Sequence, residues 1–335
     1  MKLSSITPDN SGLICGFLFS PDAAGKVIEA QEAMAWLNQP LNNNQEFIWL
    51  HFNLVPANTE KWMRANLSLP EEFFETLSDG SRSTRIEDTA DSLIAVINDV
   101  AFKFSFDPSE IATLWMSVNQ RAVISARSHP LRSIDQLRVA VKAGERFNSS
   151  TSLLTHLMHD QGDVLVKIVR DATLQVDKIE DELLVGSLQE KRAELGKLRR
   201  VLVRLQRLLA PEPAALFRFL HQSPAWINEY DIDELRQSTE EFALVITDLT
   251  ALQERIKLLQ EEMAAQVSEQ TNRSLFMLTI VTVLALPINI IAGLLGMNVG
   301  GIPLAQSPEG FLTIVCIVVT FTAIAGWWAF RKKQE

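Results

Sequence analysis

Hydrophobic and polar positions divide the chain into three regimes. In the first, up to about residue 150, short apolar runs alternate with helical patterns. Gly12–Phe19 (GLICGFLF), Phe47–Leu54 (FIWLHFNL), Asp91–Phe104 (DSLIAVINDVAFKF), Ile111–Val118 (IATLWMSV) and Ala122–Arg127 (AVISAR) have the length and the β-branched and aromatic content of strands. Between them, Asn58–Leu77 (NTEKWMRANLSLPEEFFETL) carries a helical pattern with a Thr–Glu N-terminal signal. The pattern predicts a mixed α/β domain over residues 1–150, within an α+β chain.

After Ser150 the strand signals stop. Ser152–Gly186 and Leu188–Leu209 read as long, charged, amphipathic helices, broken near Gly186 and ended by Pro211 and Pro213, with a short segment reaching Pro224. Residues 151–230 are therefore expected as long paired helices. From about Asp231 the pattern is the most regular in the chain. Apolar residues fall at Leu235, Phe242, Val245, Leu249, Leu252, Ile256, Leu259 and Met263, and from Phe242 the gaps alternate between three and four. That is the heptad seam of a coiled coil or helix bundle, and it offers a means of association between copies. No proline or glycine interrupts Asp231–Ala285. One helix of roughly 80–100 Å is the favoured reading, a stalk over 231–274 running on into an apolar segment. A stalk joined by a loop near Gln270–Arg273 is the other.

The third regime is apolar. Leu275–Leu295 and Phe311–Phe330 contain no charged residue. As a helix the first run extends roughly 31 Å, enough to cross the hydrocarbon core. The second ends in Trp327–Trp328 followed by Arg331, Lys332 and Lys333, aromatics then cations, as at a membrane interface. Arg273 flanks the first run, whereas the connecting loop, 296–310, has no Lys or Arg. The positive-inside rule places both termini, including the basic tail 331–335, in the cytoplasm and the loop outside. This predicts a multi-pass protein of a bacterial-type inner membrane, with the lipid bilayer as a partner. The competing reading, a buried hairpin, sits poorly with two uncharged runs of this length.

Composition sharpens this reading. The net charge is −10, yet mean hydropathy is +0.08, because from Leu275 to Phe330 the only charged residue is Glu309. The acid excess belongs to the first 270 residues or so; it argues against nucleic acid as a partner and suits a cation. Cys15 and Cys316 lie far apart and form no disulfide or zinc-finger spacing, in keeping with a reducing cytoplasm. The N-terminal MKLSSITPDNSG has no apolar core of the signal-peptide kind. No nucleophile–base pair, phosphate-cradling loop or dinucleotide fingerprint appears, so an enzyme and a prosthetic group are not expected.

One hairpin of two helices cannot enclose an aqueous path, so conduction requires several copies around an axis. Thr279, Thr282, Leu286, Asn289 and Gly293 lie at steps of three or four on one face of the first span. An asparagine within a span is costly unless it meets water or another helix. Both a pore-lining face and a helix–helix contact remain open from this pattern. Likewise Gln266, Gln270, Thr271 and Asn272, where the seam should continue, suit either a wet axial cavity or the headgroup region.

At Gly296–Met297–Asn298 (GMN) the sequence resembles the CorA family of divalent-cation transporters. Leu286–Asn298 (LPINIIAGLLGMN) is similar to the family's pore helix, and the order of α/β domain, paired helices, stalk and two C-terminal spans matches as well. The resemblance implies a homopentameric funnel around an axial pore. It places Asn298 as a ring of amides at the external mouth, where neutral oxygens meet a hydrated cation without trapping it. It further implies that Gly296 lets backbones approach, that Met297 packs to fix the turn, that Leu278 and Leu286 form narrow apolar positions, and that Thr282 and Asn289 form polar ones. Glu261 matches an intersubunit cytoplasmic cation site of magnesium members, and reads equally as a solvated charge. After GMN, magnesium members carry an aromatic and acidic stretch; Val299–Pro303 (VGGIP) here is similar instead to the zinc-transporter branch, ZntB, whose members are assisted by a proton gradient. A magnesium, cobalt or nickel channel is the alternative. A coiled-coil receptor anchored by a hairpin is a rival of another class.

Zinc favours nitrogen and sulfur ligands, yet His51, His129, His156, His159 and His221 all precede the stalk. The first span has no ionisable group, which leaves Glu309 and the stalk acids as candidate proton carriers. His156 and His159, at i and i+3 with Asp160 and Asp163 beside them, have the spacing of a zinc site and equally of solvent-facing side chains. The basic run Lys191–Arg207 is expected to pair with Asp177–Glu182 on an antiparallel helix.

Overall fold

The computed structural model describes residues 11–21, 23–40, 45–80, 83–89, 91–107, 109–183, 188–297 and 307–331. They fall into two compact units, Met1–Leu259 and Gln260–Glu335.

The first unit contains β1 (Leu13–Phe19), β2 (Lys26–Val27), α1 (Ala30–Leu37), β3 (Phe47–Asn53), α2 (Thr59–Asn66), α3 (Glu71–Ser78), β4 (Arg85–Thr89), β5 (Ser92–Val100), β6 (Ile111–Val118) and β7 (Ala122–Arg127). Helices α4 (Arg132–Lys142), α5 (Ser150–Leu183), α6 (Leu188–Leu209), α7 (Pro211–His221) and the first part of α8 (Glu229–Leu295) follow. The strands form one sheet in the order β2-β1-β3-β7-β6-β5-β4, antiparallel except between β3 and β7.

Alternation decides which side chains meet which layer. Phe47 and Trp49 join Leu137, Leu157 and Leu216 in a core beneath α4, α5 and α7. Ile48, Leu50 and Phe52 join Met63, Phe73 and Phe74 beneath α2 and α3 on the other face. Helices on both faces explain why β3, β5 and β6 read as continuous apolar runs. β4 escapes the sequence pattern because it is an edge strand, Arg-Ile-Glu-Asp-Thr, half in water. The single helical pattern over Asn58–Leu77 is two helices: Pro70 biases Leu69 away from the α region, and Leu67–Pro70 is not helical. Pro211 ends α6 as expected, but it also opens α7 from the N1 position.

A buried polar row crosses β3 and β7. Arg127 Nε donates to His51 Nε2 at 3.0 Å, which leaves Nδ1 carrying the proton that it gives to Ser125 Oγ at 2.8 Å. Trp49 Nε1 donates to the same hydroxyl at 2.9 Å. Burial, then Arg127 and Arg138, holds His51 below the usual histidine range. Ser125→Ala would leave two buried N–H groups unpaired; an unfolding measurement is expected to show a loss of about 2–4 kcal/mol.

The heptad seam is used within the chain. Phe242, Leu249 and Ile256 are at most 1% exposed, and Val245, Leu252 and Leu259 are buried as well. Phe242 packs beside Gly162 of α5, where a Cβ would sit in ordinary van der Waals contact with the ring at 3.7 Å. Gln253 Nε2 donates to Leu202 O at 3.0 Å and Gln206 Nε2 to Thr250 Oγ1 at 2.7 Å, tying α6 to α8. The expectation that this seam joins separate copies is therefore corrected: it is buried within one chain, beside Gly162 of α5 and next to the α6 bonds at Leu202 and Gln206. The pairing of the basic run is corrected in part. Lys191 reaches Glu182 at 2.5 Å, but Asp177 and Glu180 turn to Arg255 of α8.

The second unit contains the remainder of α8 and α9 (Gly310–Arg331). Helix α8 passes Gln270–Arg273 and Pro287 without a break, so the loop reading is excluded. The two C-terminal helices are long and apolar enough to cross a membrane.

Candidate functional site

The first apolar stretch of α8 has two different sides. Its half-buried positions are Ile280, Leu284, Ala285, Pro287, Ile288, Ile291 and Leu295. Leu278, Thr279, Thr282, Leu286, Asn289 and Gly293 are all exposed. At 100° per residue the two sets centre on opposite sides of the helix. A single chain thus leaves its small and polar face unfilled. Thr279 Oγ1 donates to Leu275 O at 2.8 Å, and Thr282 Oγ1 to Leu278 O at 2.8 Å and Thr279 O at 3.0 Å. With their protons directed to the helix backbone, these hydroxyls turn oxygen lone pairs outward, the donor type that hard or hydrated cations prefer. Pro287 lacks an N–H, so the carbonyl four residues back at Val283 has no helical partner. A freed carbonyl at Val283, on the N-terminal side of Asn289 in the same helix, adds polarity to a segment without charge.

The helix ends in a turn whose last bonds are Gly296 N to Ala292 O at 3.0 Å and Met297 N to Leu294 O at 3.4 Å. A Cβ at Gly296 would approach Ala292 O to 3.1 Å, tighter than ordinary contact. The Met297 side chain is 52% exposed within one chain, so no contact inside that chain fills the packing role expected of it. Asn298 and the VGGIP stretch lie outside the described residues. On the far side of that stretch, Glu309 O accepts from Thr313 N at 3.1 Å at the start of α9. Glu309 and Glu261 are both exposed.

The histidine pair is not assembled for metal. His156 Nδ1 faces Glu145 Oε1 at 3.2 Å and its Nε2 faces Asp160 Oδ2 at 3.6 Å, whereas His159 Nδ1 turns to Glu241 Oε2 at 3.6 Å. Spacing of i and i+3 puts the rings on neighbouring tracks of α5, and different acids capture them. Burial pushes the Asp160 carboxyl up to about 6, against the pull of His156 and His159. Among the described residues no group of three or more His, Cys, Asp or Glu is placed to hold a metal ion. The zinc reading of His156, His159 and Asp160 is corrected accordingly.

One surface was missed from sequence. Leu244 and Leu258, 67% and 63% exposed, stand two heptads apart with the exposed Ala251 between them and Ala265 beyond. The seven-residue recurrence of this second stripe was its signal, hidden by the stronger seam.

Comparison with known proteins gives a consistent picture. A family model described as CorA-like Mg2+ transporter protein matches residues 44–332. A relative in Pseudomonas aeruginosa, the divalent cation transporter CmaX, is 28% identical over 331 residues, 97% of each chain. The zinc transport protein ZntB of Pectobacterium carotovorum is 23% identical over 295 residues, 88% of this chain and 90% of that one. The solved structure of full-length CmaX matches with a TM-score of 0.80 at 27% identity, covering 98% of this chain and all of that one. The CorA magnesium transporter of Methanocaldococcus jannaschii, at 17% identity, shares the fold with a TM-score of 0.74 over 94% of this chain and 96% of its own.

Proposed function

The chain belongs to the CorA-like Mg2+ transporter protein family of divalent-cation transporters, and from that membership we propose that it carries zinc through an axial pore formed by five copies. The observation that carries the reading is the exposed face of the apolar part of α8, with Thr279, Thr282, Asn289 and Gly293 unfilled in a single chain. Two helices cannot enclose water. Copies arranged with this face inward would turn an otherwise costly asparagine into a wall of a wet path. Since the seam is buried within one chain, the stripe of Leu244, Ala251, Leu258 and Ala265 is the face of α8 left for association. Leu278 and Leu286 then form apolar rings, and Asn298 a ring of amides at the outer mouth. Both termini lie in the cytoplasm, with the bilayer an inner membrane.

Zinc is favoured over magnesium by the uncharged VGGIP after GMN and by the zinc transport relatives. The path offers oxygen rather than histidine or cysteine, so zinc passes hydrated. Proton assistance would use groups at the ends of the path, Glu309 and the acids near Glu261, because Leu275–Leu295 contains none. The test is uptake into proteoliposomes of labelled zinc, magnesium, cobalt and nickel, with and without an imposed pH gradient. Zinc uptake exceeding magnesium uptake, and rising with the gradient, is expected. Magnesium preference would move the protein to the alternative reading, and indifference to the gradient would remove proton coupling.

A further inference from the structure

Glu212 is a charged residue type placed where a charge is least tolerated. It is the second residue of α7 and is fully buried. Its Oε2 accepts from Gln161 Nε2 of α5 at 3.1 Å, and its Oε1 has no hydrogen-bond partner. Gln161 spends its other amide proton on Asn98 O of β5 at 2.7 Å, and its own Oε1 is also orphaned. Two buried acceptors on touching side chains have no donor for either, and a proton on Glu212 would remove its charge and turn one of them into a donor.

The surroundings favour that proton. Asp99 of β5 is the charged group that faces Glu212. Burial pushes the Asp99 carboxyl above its ordinary range, and against that it accepts from Ser133 Oγ at 2.5 Å, Ser133 N at 3.0 Å and Val100 N at 2.7 Å, with Arg132 of α4 adding its charge. A second negative charge beside it is opposed. α5 presents the neutral Gln161, and among the described residues no Lys, Arg or His pairs with Glu212. The start of α7 would ordinarily favour an anion, but α6 ends at Leu209, immediately before it, and brings the negative end of a longer helix to the same corner. Burial, with Asp99 adding to it and Gln161 opposing it, pushes the Glu212 carboxyl well above its ordinary range.

We propose that Glu212 is a proton-held latch: as the neutral acid it fastens the α6–α7 corner to β5 and α5, and when its proton leaves to solvent the corner loosens to admit water. The corner is joined to the sheet by Thr84 Oγ1 donating to Leu208 O at 2.8 Å, and α6 in turn is bonded to α8 at Thr250 and Gln253. Rising pH on the side of this domain therefore reaches the helix that carries the apolar span through the α6–α8 contacts.

The sign follows from linkage. An acid whose pKa is higher folded than unfolded contributes stability fully below the unfolded value, and that contribution is lost as pH rises toward the folded value. Full-length protein in detergent, melted between about pH 4, near the unfolded glutamate value, and about pH 9, as wild type and as Glu212→Gln, tests this. The variant keeps a neutral donor at the site, so it is expected to match wild type at the acid end. The gap in its favour should widen by about 3–6 °C toward the alkaline end. An equal destabilisation by Glu212→Gln at all pH values would overturn the proposal. A direct reading needs no variant: carbon-13-labelled glutamate in wild type should show a buried protonated-carboxyl stretch at neutral pH that fades on alkalinisation. Absence of that band, or a melting curve governed by added sodium, potassium or magnesium rather than by pH, would assign the orphaned oxygens to a bound cation and end the latch reading.

Discussion

Replacing Asn298 with alanine is expected to lower zinc uptake into proteoliposomes by at least about tenfold while leaving the assembled protein folded. The argument is one of hydration. A divalent cation reaching the mouth holds its water tightly, and a ring of amide oxygens accepts hydrogen bonds from that water without stripping it. Each such bond contributes about 1 kcal/mol net. In the proposed ring the loss would recur around the axis, so even two lost contacts would exceed the 1.4 kcal/mol that corresponds to tenfold in occupancy. Asn298→Asp separates charge from geometry. A carboxylate in the same place should bind more tightly and release more slowly, so uptake saturates at lower zinc with a reduced maximum. The residue follows Met297 directly, and the last helical bonds of α8 stop at that methionine. Unchanged uptake in Asn298→Ala would return the chain to the receptor or scaffold reading.

The fold was legible where one rule dominated. Ile111–Val118 and Ala122–Arg127 are strands with the bounds their runs suggested, because a sheet covered on both faces demands continuous apolar sequence. β4 was not legible, since an edge strand half in water has no need of that pattern. The absence of helix breakers between Asp231 and Ala285 foretold an unbroken α8. The same helix shows where sequence reasoning stops: a heptad states that a face is buried, not by whom. α5 and α6 lie more than 30 residues away in sequence from most of the seam they lie beside, and no local signal links them.

The site divides in the same way. The face carrying Thr279, Thr282, Asn289 and Gly293 was visible as a periodicity, and it is the exposed face of the helix. The histidine pair was visible as spacing only, and Glu145 and Glu241, from outside α5, decide where the rings turn. Glu212 was invisible. An acid after a helix-opening proline reads as an ordinary solvated first-turn residue, and only the packing of β5 and α5 over it turns it into a buried one.

Truncating the seam is expected to unfold the domain rather than to separate copies. Phe242 is 1% exposed and lies over Gly162, so Phe242→Ala leaves a cavity that two helices bonded to α8 through Gln253, Gln206 and Arg255 cannot readily close. Such a truncation costs about 3–5 kcal/mol. For a body of this size that is a fall of roughly 6–15 °C in Tm, read by circular dichroism on the full chain. Leu258→Ala, on the exposed stripe of the same helix, removes a side chain already 63% in water. Its effect on the unfolding of a dissociated chain should stay within about 0.5 kcal/mol, while the mass measured in mild detergent shifts toward smaller assemblies. The two variants therefore divide the helix by face. If Phe242→Ala instead left Tm unchanged and dissociated the assembly, the seam would belong between copies, and the packing of α5 and α6 against it would have to be abandoned.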